Sequence, residues 1–329
     1  HRLINLVATL GLVAVAVALL MQAGEGQVQV YRLGNWSAPF GIVLAVDRLA
    51  AVMVLVTALL ATGVLLHGAR VGSYFHVLFQ MQLFGLNGAF LTGDLFNLFV
   101  FFEVLLIASY GLLLLGGGRN RTRAGLHYVV LNLVGSTLFL FAVGSLYGVL
   151  GTLNMADMAV RLAGLPESDL GVVRTAGLLL FAVFALKAAL APLHLWLPGA
   201  YGYTSAPVAA MFAIMTKVGA YAILRVYSLL FGPESGPAAG LLDPWLVPLA
   251  LLTVVAGTLG VLASRRLSQQ AAYLVVVSAG TLLTAFGLGG TEAIAAGIYY
   301  LAHTTFAAAA LFLLADVVSR ARGEHADRL

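Results

Sequence analysis

FAVFALKAALAPLHLWLPGAYGYTSAPVAAMFAIMTKVGAYAILR, residues 181–225, contains the only two lysines of the chain, Lys187 and Lys217. Both lysines interrupt long apolar runs. A charged side chain at the centre of a membrane helix costs roughly 2.5–3.5 kcal/mol on insertion scales, so two of them indicate a function. Lysine, unlike arginine, can release its proton inside a protein.

A proline divides the same stretch. Pro192 lies in the segment APLHLWLP, residues 191–198, and it predicts a helix break near residues 190–194 because it lacks a backbone donor. Irregular backbone at membrane depth persists only where it is buried in protein or lines a hydrated cavity. Many transporters build their ion sites from such broken helices. The stretch therefore predicts ion translocation.

The composition assigns the rest of the chain to the membrane. Of the 329 residues, 61% are hydrophobic and 9% are charged, whereas soluble domains carry about 25% charged residues. Cysteine is absent, which excludes disulfides, iron–sulfur ligation and thiol catalysis. The net charge of +4 does not indicate a nucleic-acid partner, because the arginines are sorted among the loops. We expect no cofactor. Since the chain begins at His1, just before an apolar span, we expect a fragment of a longer chain.

Apolar runs of about 20 residues, the length needed to cross a bilayer, recur along the chain. They predict an all-α, polytopic membrane protein of about ten helices, one of them broken near Pro192. The predicted spans are residues 2–22, 45–67, 74–92, 94–116, 124–150, 171–202 (the broken one), 206–231, 245–263, 268–288 and 293–318. The connections 23–44, 151–170 and 232–244 are predicted to be short loops.

Charged residues sort into alternate connections. One side of the membrane receives the arginines Arg2, Arg70, Arg119, Arg121, Arg123, Arg265, Arg266, Arg320, Arg322 and Arg328. The other side receives the carboxylates Glu25, Asp157, Glu167, Asp169, Glu234, Asp243 and Glu292, with Arg32 and Arg161. The positive-inside rule makes the arginine side cytoplasmic. We therefore expect a cell-membrane protein with both ends of this chain in the cytoplasm.

Four ionisable residues fall near the middle of four different spans: Glu103, Lys187, Lys217 and His303. Groups at one depth are what a proton path along the membrane plane requires, because carboxylate, amine and imidazole groups all exchange protons. Glu103 and a protonated lysine could pair, and moving them apart would favour proton release by the lysine. A structural Glu–Lys pair is the alternative interpretation of the same residues.

Other polar residues have two interpretations each. His194, beside Pro192, either lines the cavity at the break or caps the half-helix. His303 is alternatively a core histidine hydrogen-bonded to Thr304 and Thr305. A further set of polar side chains either lines chains of water molecules or makes hydrogen bonds between helices. Its members are Gln80, Gln82, Asn87, Asn97, Asn132 and Ser278.

Two long motifs allow a comparison with known families. They are TGDLFNLFVFFEVLLIASYGLLLLGG, residues 92–117, and LKAALAPLHLWLPGAYGYTSAPVAAMFAIMTKVGAYAILR, residues 186–225. They resemble the proton-translocating antiporter-like subunits of respiratory complex I and of multi-subunit Mrp-type Na⁺/H⁺ antiporters, and are most similar to the D subunit of the latter. The resemblance covers nearly the whole chain. It implies inverted five-helix repeats, each with a broken helix.

The resemblance also implies roles for individual residues. It matches Glu103 to the family's glutamate, Lys187 to the lysine on the broken helix and Lys217 to the lysine of the next helix. His303 matches a histidine of a later helix, although residues 304–310 lack the lysine that many relatives carry there. It divides the chain into N-terminal helices (1–67), a first repeat (74–231) and the start of a second repeat (244–329), cut off before its own broken helix and ionisable residue.

These observations favour a proton-translocating subunit of a hetero-oligomeric Na⁺/H⁺ antiporter, a transporter rather than an enzyme. The expected partners are the other membrane subunits, the lipid bilayer, H⁺ and Na⁺. One alternative couples the same proton path to redox chemistry, as in complex I or a membrane-bound hydrogenase. A b-type haem protein that uses His76 and His127 is another, and a passive scaffold is a third.

Overall fold

The computed structural model describes residues 1–67 and 72–323. Its α-helices are α1 (Arg2–Gly24), α2 (Arg48–Leu66), α3 (Ser73–Leu91), α4 (Leu95–Leu114), α5 (Arg119–Leu150), α6 (Met155–Ala163), α7 (Glu167–Ala188), α8 (Trp196–Tyr203), α9 (Ala206–Phe212), α10 (Met215–Leu230), α11 (Leu246–Ala263), α12 (Leu267–Leu288) and α13 (Gly290–Arg322). Each predicted span is helical, which confirms the all-α membrane architecture. Arg70 and Arg328, which the sequence assigns to the arginine side, lie outside the described residues.

Among the described residues, nine spans are long and apolar enough to cross a membrane, counting α7 with α8 and α9 with α10 as one span each. The helix α3 is not among the nine, although it lies at the predicted position. Its polar side chains include His76 and Gln82, and both are buried. His76 contacts Asn5 of α1 and Gln82 contacts Met215 of α10, so these side chains face protein rather than lipid.

The break in the long span begins just before Pro192. The helix α7 ends at Ala188, and Ala189 adopts a left-handed conformation with φ of 58°. The chain then runs through Pro192 and a short 3₁₀ turn before α8 begins at Trp196. The predicted break is confirmed, and it starts one residue before the range expected from the sequence.

Side chains satisfy the backbone groups that the break releases. Thr253 Oγ1 on α11 accepts the Ala191 amide at 2.8 Å. Trp196 Nε1 donates to the Leu186 carbonyl at 3.0 Å. An unpaired backbone group in hydrocarbon costs several kcal/mol. These two contacts therefore explain how irregular backbone stays buried here.

A second interruption lies in the span that the sequence presents as one continuous helix. Ala213 and Ile214 separate α9 from α10, although both keep right-handed helical φ and ψ. Tyr201 donates its hydroxyl to the Phe212 carbonyl at 2.8 Å, which satisfies one of the acceptors exposed there. Lys217 therefore lies in the first turn after an interruption, and the prediction of an unbroken helix at this position is wrong.

The carboxylate-rich end contains structure that hydropathy does not reveal. The connection 23–44 forms most of an antiparallel hairpin, β1 (Gln29–Arg32) with β2 (Val43–Val46), and Leu44 of β2 bridges to Thr92. The connection 151–170 contains the short helix α6. Both segments were predicted to be loops.

An ion pair joins α2 to α10 at the same end. Asp47 accepts the Ala50 amide at 2.8 Å and Arg225 Nη2 at 2.7 Å. Burial alone would raise the pKa of Asp47, but the Arg225 guanidinium and the Ala50 amide hold it below its usual range. Arg225 also donates to the Tyr221 hydroxyl, which donates to the Phe90 carbonyl at 2.7 Å. This network positions the helix that carries Lys217.

Asp47→Asn is expected to lower the unfolding free energy by about 1–3 kcal/mol, because it leaves Arg225 without its counter-charge. The expected loss of unfolding free energy is smaller than for a fully buried ion pair, because the side chains of Arg225 and Asp47 are 22% and 27% exposed. Thermal unfolding of the purified complex measures it. The control is Asp157→Asn, which removes the more exposed pair with Arg161 and should cost less than about 1 kcal/mol. Equal losses would contradict the structural role of Asp47.

Candidate functional site

Glu103 lies near the middle of α4 and is half-buried. Ser136 on α5 donates a hydrogen bond to Glu103 Oε1. The contact exists because α4 and α5 pack along each other. The carboxylate therefore faces the neighbouring helix and not only lipid.

Lys187 lies in the last turn of α7, just before the break, and is buried. Its Nζ donates to Asn132 Oδ1 on α5 at 2.9 Å. Asn132 Nδ2 donates to the Tyr128 carbonyl at 2.8 Å, which holds the amide in this orientation. Lys187 is thus bound by a neutral side chain.

Asn132 and Ser136 stand four residues apart on α5 and therefore on one face of the helix. Asn132 binds Lys187 and Ser136 binds Glu103, so this pair links the amine to the carboxylate. Among the described residues, neither lysine has a carboxylate within ion-pair distance. Glu103 and Lys187 thus make no direct ion pair among the described residues, and each is hydrogen-bonded to a side chain of α5 instead.

Two glycines allow α7 to approach its neighbours at Lys187. A Cβ on Gly219 of α10 would lie 2.4 Å from the Ala188 nitrogen and 2.7 Å from the Lys187 carbonyl carbon. A Cβ on Gly135 of α5 would lie 2.8 Å from Leu186. The contact at Gly219 is with backbone atoms and requires a residue without a side chain. The neighbour of Gly135 is the side-chain atom Leu186 Cδ2, which can move.

Lys217 is fully buried on α10, and its Nζ donates to Ser278 Oγ on α12 at 2.9 Å. A serine hydroxyl can accept from an ammonium group and donate to a neutral amine. Ser278 can therefore satisfy Lys217 in both protonation states. Asn132 gives Lys187 a similar partner, since its carbonyl oxygen accepts from either form of the amine.

A cavity of about 20 Å³ lies beside Lys187. Its lining residues are Phe102, Leu105, Leu106, Tyr128, Asn132, Lys187, Trp196, Met215 and Val218. This volume is enough for one water molecule. Most of the lining is apolar, and Lys187, Asn132 and Tyr128 are its polar residues; Met215 and Val218 of α10 close the opposite side.

The helix α10 separates this cavity from Lys217. Met215 and Val218 line the cavity, whereas Lys217 points to α12. Two buried oxygens next to Met215, Gln82 Oε1 and Thr216 Oγ1, have no hydrogen-bond partner in the described part of the chain. Gln82 Nε2 contacts Met215 Sδ at 3.3 Å. Polar groups thus surround the point at which the helix hydrogen bonds are interrupted.

His194 is buried in the turn that follows Pro192. Its Nδ1 has no hydrogen-bond partner within residues 1–67 and 72–323. Leu195 is the N-cap residue of α8, and no side-chain cap is present there. The structure therefore does not support the interpretation of His194 as a helix cap.

Residues 92–329 match the family model described as "NADH:quinone oxidoreductase/Mrp antiporter, TM". The chain belongs to this family. The resemblance inferred from the two sequence motifs is confirmed.

Proteins named as the D subunits of antiporters are among the relatives in this Mrp-like family. The chain is 49% identical to the probable K(+)/H(+) antiporter D subunit of Rhizobium meliloti, over 94% of this chain and 59% of that protein. It is 40% identical to the Na(+)/H(+) antiporter D subunit of Alkalihalophilus pseudofirmus, over 98% of this chain and 66% of that protein. The chain thus spans about three fifths to two thirds of the length of these relatives.

A solved structure agrees with the family assignment. The chain superposes on a protein in the structure of the Mrp complex from Dietzia sp. with a TM-score of 0.87 and 32% sequence identity. The match covers 96% of this chain and 59% of that one. The fold shared with that protein therefore extends over nearly the whole of this chain.

His303 lies apart from the row formed by Glu103, Ser136, Asn132 and Lys187. It lies on the exposed face of α13. Thr304 and Thr305 donate to the Leu301 carbonyl at 3.4 and 2.8 Å, so they are not its partners. Among the described residues, the exposed position of His303 does not support its interpretation as a hydrogen-bonded core residue.

Two further findings concern the alternatives for this antiporter-like chain. The described residues contain no cluster of three or more His, Asp or Glu side chains arranged to hold a metal ion. His76 Nδ1 is hydrogen-bonded to Asn5 Nδ2 at 2.8 Å, which accounts for that histidine without a haem.

Ser136 was not predicted as a site residue from the sequence, although its position four residues after Asn132 was a usable signal.

Proposed function

We propose that this chain is the proton-translocating D subunit of a multi-subunit cation/proton antiporter. The observation that supports the proposal is the row from Glu103 through Ser136 and Asn132 to Lys187. Buried ionisable groups in a membrane protein mark ion pathways by default. Here the row runs from α4 across α5 to the broken helix α7, and many transporters form their ion sites at such helices.

The row suggests how protons move. Glu103 takes up a proton, and the Ser136 hydroxyl, which both accepts and donates, exchanges it with the neighbouring groups. Lys187 releases and regains a proton beside the cavity, where one water molecule fits. Gln82 and Thr216 offer oxygen acceptors beyond it, on the way to Lys217 and Ser278. Pro192 keeps the backbone open at this point, and His194 serves as an accessory group.

The transported cation is Na⁺ or K⁺, since both are named among the relatives. The complete complex in everted vesicles tests the proposal. Addition of Na⁺ or of K⁺ should release the imposed pH gradient. No response to either cation would contradict antiport.

The redox-coupled alternative remains a proposal of its own, because the family description also includes NADH:quinone oxidoreductase. Mass spectrometry of the complex purified from native membranes separates the two. Antiporter subunits as the only partners support the leading proposal. Flavin or iron–sulfur subunits would replace it with a redox-driven pump, and the chain would then belong to an enzyme complex.

Lys187→Arg is expected to assemble normally and to lose at least about 100-fold in proton exchange, because arginine keeps the charge but does not release its proton. The cavity beside Lys187 gives the larger side chain room. Lys217→Arg differs, since Lys217 is fully enclosed and the longer side chain should instead impair folding. Co-purification of the other subunits measures assembly. Full exchange in Lys187→Arg would show that charge alone matters there.

Helix lengths support a repeated architecture. In the first proposed repeat α3, α4 and α5 have 19, 20 and 32 residues. In the second, α11, α12 and α13 have 18, 22 and 33 residues. We propose that residues 74–231 and the segment from 244 onwards are inverted repeats. We further propose that parts of the longer relatives with no counterpart here cover the face that bears His303.

We propose that the arginine-rich side is cytoplasmic in a cell membrane, with both ends of this chain on that side. Thr122→Cys should react only with a membrane-impermeant thiol reagent applied from the cytoplasm, and Glu234→Cys only from outside. Both positions are exposed, and the chain has no cysteine of its own. Reversed labelling would overturn the orientation.

A further inference from the structure

A groove of about 630 Å³ opens between the first turns of α5 and the end of α8. Its lining residues are Asn120, Arg123, Ala124, Leu126, His127, Val130, Gly199 and Tyr203. It lies at the arginine-rich end of the bundle, away from the row of Glu103 and the lysines. Nothing in the proposed proton path uses it.

The polar end of the groove is positively charged. Arg123 is exposed and makes no ion pair or hydrogen bond with any described residue. Two other guanidinium groups meet at Tyr203: Arg121 Nε donates to its carbonyl at 2.9 Å, and Arg266 lies 5.1 Å from the centre of its ring. No carboxylate is among the lining residues. Asn120 and His127 add side-chain donors.

The other end of the groove is apolar and follows α5 into the membrane. Leu126 and Val130 line it and are 65% and 49% exposed. Leu133 and Val134 continue the same exposed surface one turn deeper. A ligand that fits both ends carries an anion at the level of Arg123 and a hydrocarbon chain along α5.

We propose that this groove binds an anionic phospholipid, with its phosphate at Arg123 and an acyl chain along Leu126 and Val130. A free phosphate would leave the apolar part of the groove unused, so a lipid fits the surface better. Basic pockets between membrane helices are known to bind lipid headgroups, and a basic side chain near the surface contributes about 1 kcal/mol to such binding. The site does not depend on the transport proposal.

The experiment measures phosphatidylglycerol bound to the complete purified complex, by native mass spectrometry at increasing lipid concentration. Arg123→Gln should weaken binding at this site about fivefold, the factor equivalent to ~1 kcal/mol. Gly199→Leu should also weaken it, by filling the groove without changing charge. The backbone accepts this change, because a Cβ on Gly199 has only Ala124 near it, at 3.6 Å. Arg119→Gln is the matched control, since Arg119 belongs to the same helix end but does not line the groove.

Weaker binding in Arg123→Gln and Gly199→Leu, with Arg119→Gln unchanged, supports the site. Equal weakening in all three variants would show general surface attraction and overturn it. Inorganic phosphate that competes for the site as strongly as phosphatidylglycerol itself would also overturn the proposal, because it would identify a site for a simple anion. Cross-linking of Leu126→Cys to another subunit of the complex would show that protein covers the groove, and would likewise overturn the proposal.

Discussion

Glu103→Gln is expected to reduce cation-dependent proton flux by at least about 100-fold, the lower end of what a positioned acid–base group contributes. Glutamine has nearly the same shape as glutamate and keeps an oxygen that accepts the Ser136 hydroxyl, so the contact between α4 and α5 survives. The glutamine amide cannot take up and release a proton as a carboxylate does. Assembly should therefore be normal while transport is lost. The decay of an imposed pH gradient in everted vesicles measures the effect.

Ser136→Ala is the matched control for this experiment. It removes the hydrogen bond that Glu103→Gln keeps, and it leaves the carboxylate in place. We expect a smaller loss of flux than in Glu103→Gln, with assembly again normal. Normal exchange in Glu103→Gln would remove Glu103 from the proton path. A loss of equal size in both variants would show that the Ser136 hydroxyl is needed as much as the titrating carboxylate.

Gly219→Ala is expected to destabilise the complex by about 1–3 kcal/mol or more, because the added methyl group collides with backbone that has no flexible end to move. The collision would be with Ala188 and Lys187, at the last turn of α7. Any relief must separate α10 from α7. Since Lys187 moves with this backbone, its hydrogen bond to Asn132 should weaken and proton exchange should fall with stability.

Gly144→Ala on α5 supplies the comparison. A Cβ at Gly144 would meet no atom within 4 Å, so this change in another membrane helix should leave stability and transport near wild type. Thermal unfolding and vesicle exchange measure both variants. Equal unfolding temperatures for the two would show that the close contact at Gly219 is not needed, and that α10 can move away from α7 without loss.

The sequence alone was enough to predict those features that depend only on neighbouring residues along the chain. Transfer of apolar side chains into lipid accumulates along a segment, so hydropathy alone predicts the spans other than α3. Pro192 ends a helix through its own ring and its missing donor, so the break was predictable. Lys187 and Lys217 stand out because charge in hydrocarbon is costly wherever the helices pack. Glu103 stands out for the same reason.

The partners of these residues depend on how each helix is rotated and how closely it packs, which no local pattern encodes. Asn132 and Ser136 become the link between Glu103 and Lys187 only because α5 turns that face towards α4 and α7. The interruption before Lys217 is stabilised by Tyr201, a side chain from another helix. His303 is a residue type that can carry protons, yet the packing of α13 leaves its side chain exposed. Hydrophobic burial is non-directional, so it sets which segments enter the membrane, whereas directional hydrogen bonds set which side chains meet.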